Sequence, residues 1–134
     1  MVHALHEAHR VLQPHGRLVD LRPADRDRQV LIYARRAWQP LGRILVNDVD
    51  VRAADGALER LVDRGLYRFV STRTLRVRRH FSTLRDWREY LAGLTSSRPE
   101  PSLPERVLQA FRSSAGLRRI VIEIDLTLRV LTKD

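Results

Sequence analysis

The stretch from Arg118 to Lys133 constrains this chain more than any other. Ile120, Ile122, Ile124, Leu126, Leu128 and Val130 occupy every second position, with Glu123, Asp125, Thr127 and Arg129 between them. A two-residue period belongs to an extended strand with one apolar face and cannot be met by a helix, which repeats every 3.6 residues. A strand this long needs paired neighbours and a cover for its apolar face, so the chain must build a sheet. Tyr67 to Phe81, rich in β-branched and aromatic residues, is the second candidate strand. Its spacing places Phe69, Leu75, Val77 and Phe81 on one face, and Thr72, Thr74, Arg76, Arg78 and His80 on the other.

Helices read from the other period. Leu5, Ala8, Val11 and Leu12 form one stripe of a helix over residues 2–13, stopped by Pro14, with Gly16 suited to a left-handed cap. Leu18, Val19 and Leu21 then make a short strand that Pro23 ends. The runs Gln29–Ala34 and Arg43–Val46 are expected to pair as a hairpin turning at Gln39-Pro-Leu-Gly42. Asp48 or Asp50 caps a helix carrying Ala54, Ala57, Leu58, Leu61 and Val62, with Gly65 as its terminator. Thr83 and Asp86 frame a helix with Leu84, Trp87, Leu91 and Leu94, and residues 95–101 read as a solvated loop. Ser102-Leu-Pro-Glu105 is a capping box opening a last helix that buries Val107, Leu108 and Phe111 and stops at Gly116. The expected fold is one α+β domain over residues 1–134, with three or four helices on a mostly antiparallel sheet of four or five strands.

Composition narrows the function classes. At 134 residues, 43% hydrophobic and 31% charged, the chain has the make-up of a soluble globular protein. It contains no apolar run of the roughly 18 residues a membrane span needs, and no secretory pattern, so a cytoplasmic location follows by default. The absence of cysteine excludes disulfides, thiolate metal sites and cysteine nucleophiles. Lys133 is the only lysine, so 24 of the 25 basic residues are arginine. The net charge of +9 has two readings: the coding bias of a GC-rich genome, or an anionic partner such as nucleic acid. The arginines are spread over nearly every segment, whereas specific nucleic-acid binders cluster theirs. The densest run is Arg76, Arg78 and Arg79 with His80, a candidate anion contact or else the wet side of an edge strand, where charge discourages aggregation. Tyr33, Trp38, Tyr67, Phe81, Trp87 and Tyr90 are expected to anchor a core or an interface rather than to form a stacking platform. His3, His6 and His9 stand three apart, not at the four-residue spacing of the zinc-protease helix, and read as exposed polar residues with no metal assigned.

Glu7-Ala-His-Arg-Val-Leu-Gln-Pro-His-Gly-Arg-Leu-Val-Asp20 resembles the late segment of class I S-adenosylmethionine-dependent methyltransferases. In that family an acidic residue, Arg-Val-Leu and Pro-Gly-Gly lead from a helix into the fifth strand; His15 stands here for the first glycine. The later order is also similar, with a helix ending near Gly65 and two long strands in place of the family's antiparallel edge pair. The resemblance implies the C-terminal part of a Rossmann-like fold without the half that binds the cofactor. The glycines at 16, 42, 56, 65, 93 and 116 are isolated, so no Gly-x-Gly turn is present to approach a nucleotide. No catalytic or cofactor-binding residue is carried over, and no cofactor is expected for the isolated chain. S-adenosylmethionine enters only if a partner supplies the other half. Asp20, Arg22 and His80 are candidates for a remnant substrate cleft near the strand ends, against the plainer reading of ordinary surface ion pairs. The expected partners are a second copy of the chain or a complementary methyltransferase half covering the exposed sheet edge. The alternative is a small basic module that binds nucleic acid or another anion.

Overall fold

The structure, a computed structural model, describes residues 2–134. The elements run α1 (Val2–Val11), β1 (Arg17–Pro23), β2 (Arg28–Ala34), β3 (Ala37–Val46), α2 (Val49–Asp63), β4 (Tyr67–Phe81), α3 (Leu84–Ala92), β5 (Ser97–Pro99), α4 (Leu103–Ser113) and β6 (Arg118–Lys133). Among the described residues this is an α+β arrangement of four helices and six mostly antiparallel strands. The extra strand is β5, three residues within the stretch expected to be loop, held against Ile44, Leu45 and Val46 of β3. No helix is long and apolar enough to cross a membrane. Two compact units divide the chain, and β4 and β6 contribute residues to both.

The first unit comprises residues 1–25, 48–75 and 126–134. Here β1 pairs antiparallel with β6, Leu18 opposite Leu131 and Leu21 opposite Leu128. Leu58, Leu61, Tyr67 and Leu131 form its core, with Leu5, Leu12, Leu18, Val62 and Leu66 packed around them. The Tyr67 hydroxyl donates to the Leu5 carbonyl at 3.1 Å, and burial pushes its pKa above the ordinary 10.0. The lone lysine secures the end of α1, where Lys133 Nζ donates to the His9 and Leu12 carbonyls, both at 2.8 Å. These are carbonyls that the end of α1 leaves without helical partners, and the ammonium also complements the helix dipole. The break after α1 differs from expectation in one detail. His15, not Gly16, takes the left-handed conformation, at φ 63°. Gly65, at φ 73°, follows α2 as expected.

The second unit comprises residues 26–47 and 76–125. Strands β6, β2, β3 and β5 lie side by side in that order. One face carries Val30, Ile32, Ile120 and Ile122, all buried against Trp87 of α3 and Leu103, Val107 and Phe111 of α4. The β2–β3 hairpin forms, but its turn is Arg35-Arg36 at φ 51° and 62°, not Gln39–Gly42. Pro40, Leu41 and Gly42 instead lie inside β3 at a register shift, where Leu31 faces Pro40 and Val30 faces Gly42. A bulge there places Leu41 in the core and tolerates a proline that an unbroken ladder would not. Helix starts also diverge from expectation. Thr83 Oγ1 accepts from the Asp86 amide at 3.1 Å, whereas Ser102 and Asp48 make no side-chain cap bond. Glu105 therefore does not complete a capping box with Ser102.

Candidate functional site

Charged side chains gather in three places that the sequence marked only in part. In the first unit, Asp20 and Arg22 lie two apart on β1 and so share a face. The register sets Asp20 opposite Arg129 of β6, and α2 brings Asp55 to both arginines. Arg22 Nη2 donates to Asp20 at 2.7 Å and to Asp55 at 2.9 Å; Arg129 Nη1 donates to Asp55 at 2.6 Å and approaches Asp20 at 3.5 Å. The bond to Asp55, more than the proximity of Asp20, holds the Arg129 pKa above its ordinary value. Two acids and two guanidiniums thus neutralise one another, tying β1, β6 and α2 together. The carboxylates are committed to guanidinium donors, an arrangement suited to holding elements in place rather than to moving protons. Of the residues expected to line a cleft, Asp20 and Arg22 belong to the first unit, and His80 belongs to the second, exposed on β4. Asp55 and Arg129 lie outside the sequence-based expectation. Arg129 was recoverable from strand register, while Asp55 carries no local signal.

In the second unit two of the three expected anion contacts are already paired with acids. Arg76 donates to Asp125 at 2.8 Å, and Arg78 donates to Glu123 at 2.8 and 2.9 Å. These pairs cross between β4 and β6 in opposite chain directions, as antiparallel strands require. The hydrogen bond from Arg76 lowers the Asp125 pKa, and the reciprocal bond raises that of Arg76. Arg79 does not join them: its guanidinium lies 5.3 Å from the Phe81 ring centre and 4.9 Å from that of Tyr90. Arg78 also sits 5.1 Å over the ring of Trp38, which in turn tilts against Tyr33 at 4.8 Å.

Beside the β3 bulge lies a groove of about 700 Å³ lined by Gln39, Gly42, Arg43, Arg106, Gln109 and Ser113. Glu100 closes off its arginines. It accepts from the Arg43 amide at 3.0 Å, Arg43 Nε at 3.2 Å and Arg106 Nη2 at 3.2 Å. The amide bond, ahead of the guanidiniums, holds the Glu100 pKa below its ordinary value. Of the α1 histidines, His9 meets Tyr67 edge to face at 5.2 Å, and His3 and His6 are exposed. No group of three or more histidine, cysteine, aspartate or glutamate side chains is placed to hold a metal among the described residues. No family model, curated protein or solved structure matches the chain.

Proposed function

We propose that this chain is the C-terminal part of a methyltransferase-like fold, inactive alone, which works by adding its β1 edge to a second copy or to a complementary cofactor-binding half. The order within the first unit supports the reading. An amphipathic helix and a Pro-His-Gly break lead into β1, and β6 is hydrogen-bonded both to β1 and to β4, as an antiparallel edge pair would be. The observation that carries the proposal is the free side of β1. Among the described residues β1 pairs with β6 alone, and its outward face exposes Val19 by 59% and Leu21 by 53%. A strand with an unpaired row of amides and carbonyls and bare aliphatic side chains is a template for another strand.

Two measurements test this. Sedimentation velocity across the micromolar range should reveal self-association of the chain, or formation of a complex once a cofactor-binding half is added. A monomer that joins neither overturns the docking role. Calorimetric titration of the chain alone with S-adenosylmethionine or S-adenosylhomocysteine should release no binding heat. Tight binding would mean that a cofactor site exists in these residues and that the reading is wrong.

A further inference from the structure

We infer that the tip of the β2–β3 hairpin binds single-stranded nucleic acid, with Trp38 and Tyr33 offering a stacking surface and Arg35, Arg36 and Arg119 taking phosphates. The inference is independent of the methyltransferase reading. It begins with the turn. A two-residue hairpin loop of the I′ type needs positive φ at both positions, which asparagine and glycine supply at little cost. This chain places two arginines there, at φ 51° and 62°. A left-handed arginine pair sacrifices some stability at the one point that projects two cations from the end of a ribbon.

What surrounds the turn fits the same ligand. Tyr33 and Trp38 face each other across the hairpin, and Trp38 is 45% exposed although tryptophan is usually well covered. Register sets Arg119 of β6 opposite Tyr33. The acids near this face, Glu123 and Asp125, are held by Arg78 and Arg76. Arg35, Arg36 and Arg119 have no ion-pair partner among the described residues. Three guanidiniums without ion-pair partners therefore flank an exposed indole, backed by the half-buried Tyr33 and by Arg78 over its ring, the combination that tracks phosphates while bases stack. An acidic peptide would satisfy the arginines and leave the indole without a partner. A bilayer would want apolar residues at the apex, where this hairpin has Arg35 and Arg36 between two alanines.

The test is fluorescence anisotropy of a labelled oligothymidylate of about 12 nucleotides, titrated with the full chain at salt from about 20 to about 200 mM. Three phosphate contacts to a single strand predict a log–log salt slope of about −2. The double variant R35A/R36A should flatten that slope to about −0.7, one remaining contact. W38A should weaken binding about tenfold with the slope unchanged, since stacking is not ionic. R88A, removing an exposed arginine of α3, should change nothing. Thermal melts confirm that each variant folds, and R119Q serves as a third probe if the turn variant does not. Absence of binding at about 20 mM salt, equal losses in R88A and R35A/R36A, or equal competition by oligoglutamate would each overturn the inference.

Discussion

Single residues do unusually specific jobs in a chain that otherwise uses arginine almost everywhere. Lys133 is compact, with three donors on one atom, and reaches two carbonyls at the end of α1 at once. Lys133→Met keeps the stem and removes the donors, so urea denaturation should show a loss of about 1.5–3 kcal/mol, the range for charge-assisted hydrogen bonds. Arginine at the same place should restore part of that loss. Gly42 is equally constrained. Its φ is +148°, and an added Cβ would sit 2.8 Å from both Arg106 Nη2 and Glu100 Oε2. Gly42→Ala should therefore lower the melting temperature and disturb the Glu100 cluster, whereas alanine at Gly116 meets no neighbour within 4 Å and is strained only by its own φ of +75°. Glu100 and Asp125 link stability to pH. Both are depressed below their ordinary 4.5 and 3.8, so their contribution is complete above those values and is lost as pH falls through the lower folded-state pKa. The denaturant midpoint should be flat from neutral pH to about 5 and then decline, and Glu100→Gln should make that acid decline shallower.

At the scale of elements, what the sequence disclosed and what it hid divide along the range of the forces involved. Periodicity located the four helices of the described residues and the long strands because Leu58, Leu61, Ile120 and Ile122 repeat where a buried face requires them. The hairpin was legible as two apolar runs, but its turn was not. Gln39-Pro-Leu-Gly42 has the composition of a turn, yet a bulge uses the same proline and glycine. Arg35-Arg36 carries no turn signal at all. Ser102 resembles a cap because its spacing to Glu105 is right, and only the local backbone decides whether the hydroxyl turns toward the amide. The Asp20–Arg22 pair was visible on its strand. Its completion by Asp55 depends on tertiary packing that no local pattern encodes. The turn makes its own prediction: replacing Arg35-Arg36 with Asn-Gly should stabilise the hairpin by about 1 kcal/mol by relieving left-handed strain. Hydrogen exchange of the flanking amides would register the gain. The same replacement should abolish most of the salt-dependent oligonucleotide binding.

For the molecule as a whole, net charge separates the two modes of association. Each chain carries +9, so bringing two copies together works against mutual repulsion, while a polyanion is drawn in by the same field. Salt must then act in opposite directions. Screening shortens the reach of the repulsion from about 30 Å at 0.01 M to about 10 Å at 0.1 M, so pairing of copies through β1 should tighten as salt rises. Binding of single strands should weaken over the same range, because bound counterions are released less favourably. A complementary half with an acidic surface would weaken too, which distinguishes it from a second copy. Val19→Lys with Leu21→Lys places two cations on the exposed face of β1 while leaving the Asp20–Arg22–Asp55–Arg129 cluster on the other face intact. Sedimentation of this variant should show association at least about tenfold weaker at every salt concentration, with the melting temperature of the monomer within a few degrees of the parent. Unchanged association would place the contact away from β1. Loss of folding in the variant would mean that Val19 and Leu21 are needed within the monomer, and that their exposure does not mark a docking edge.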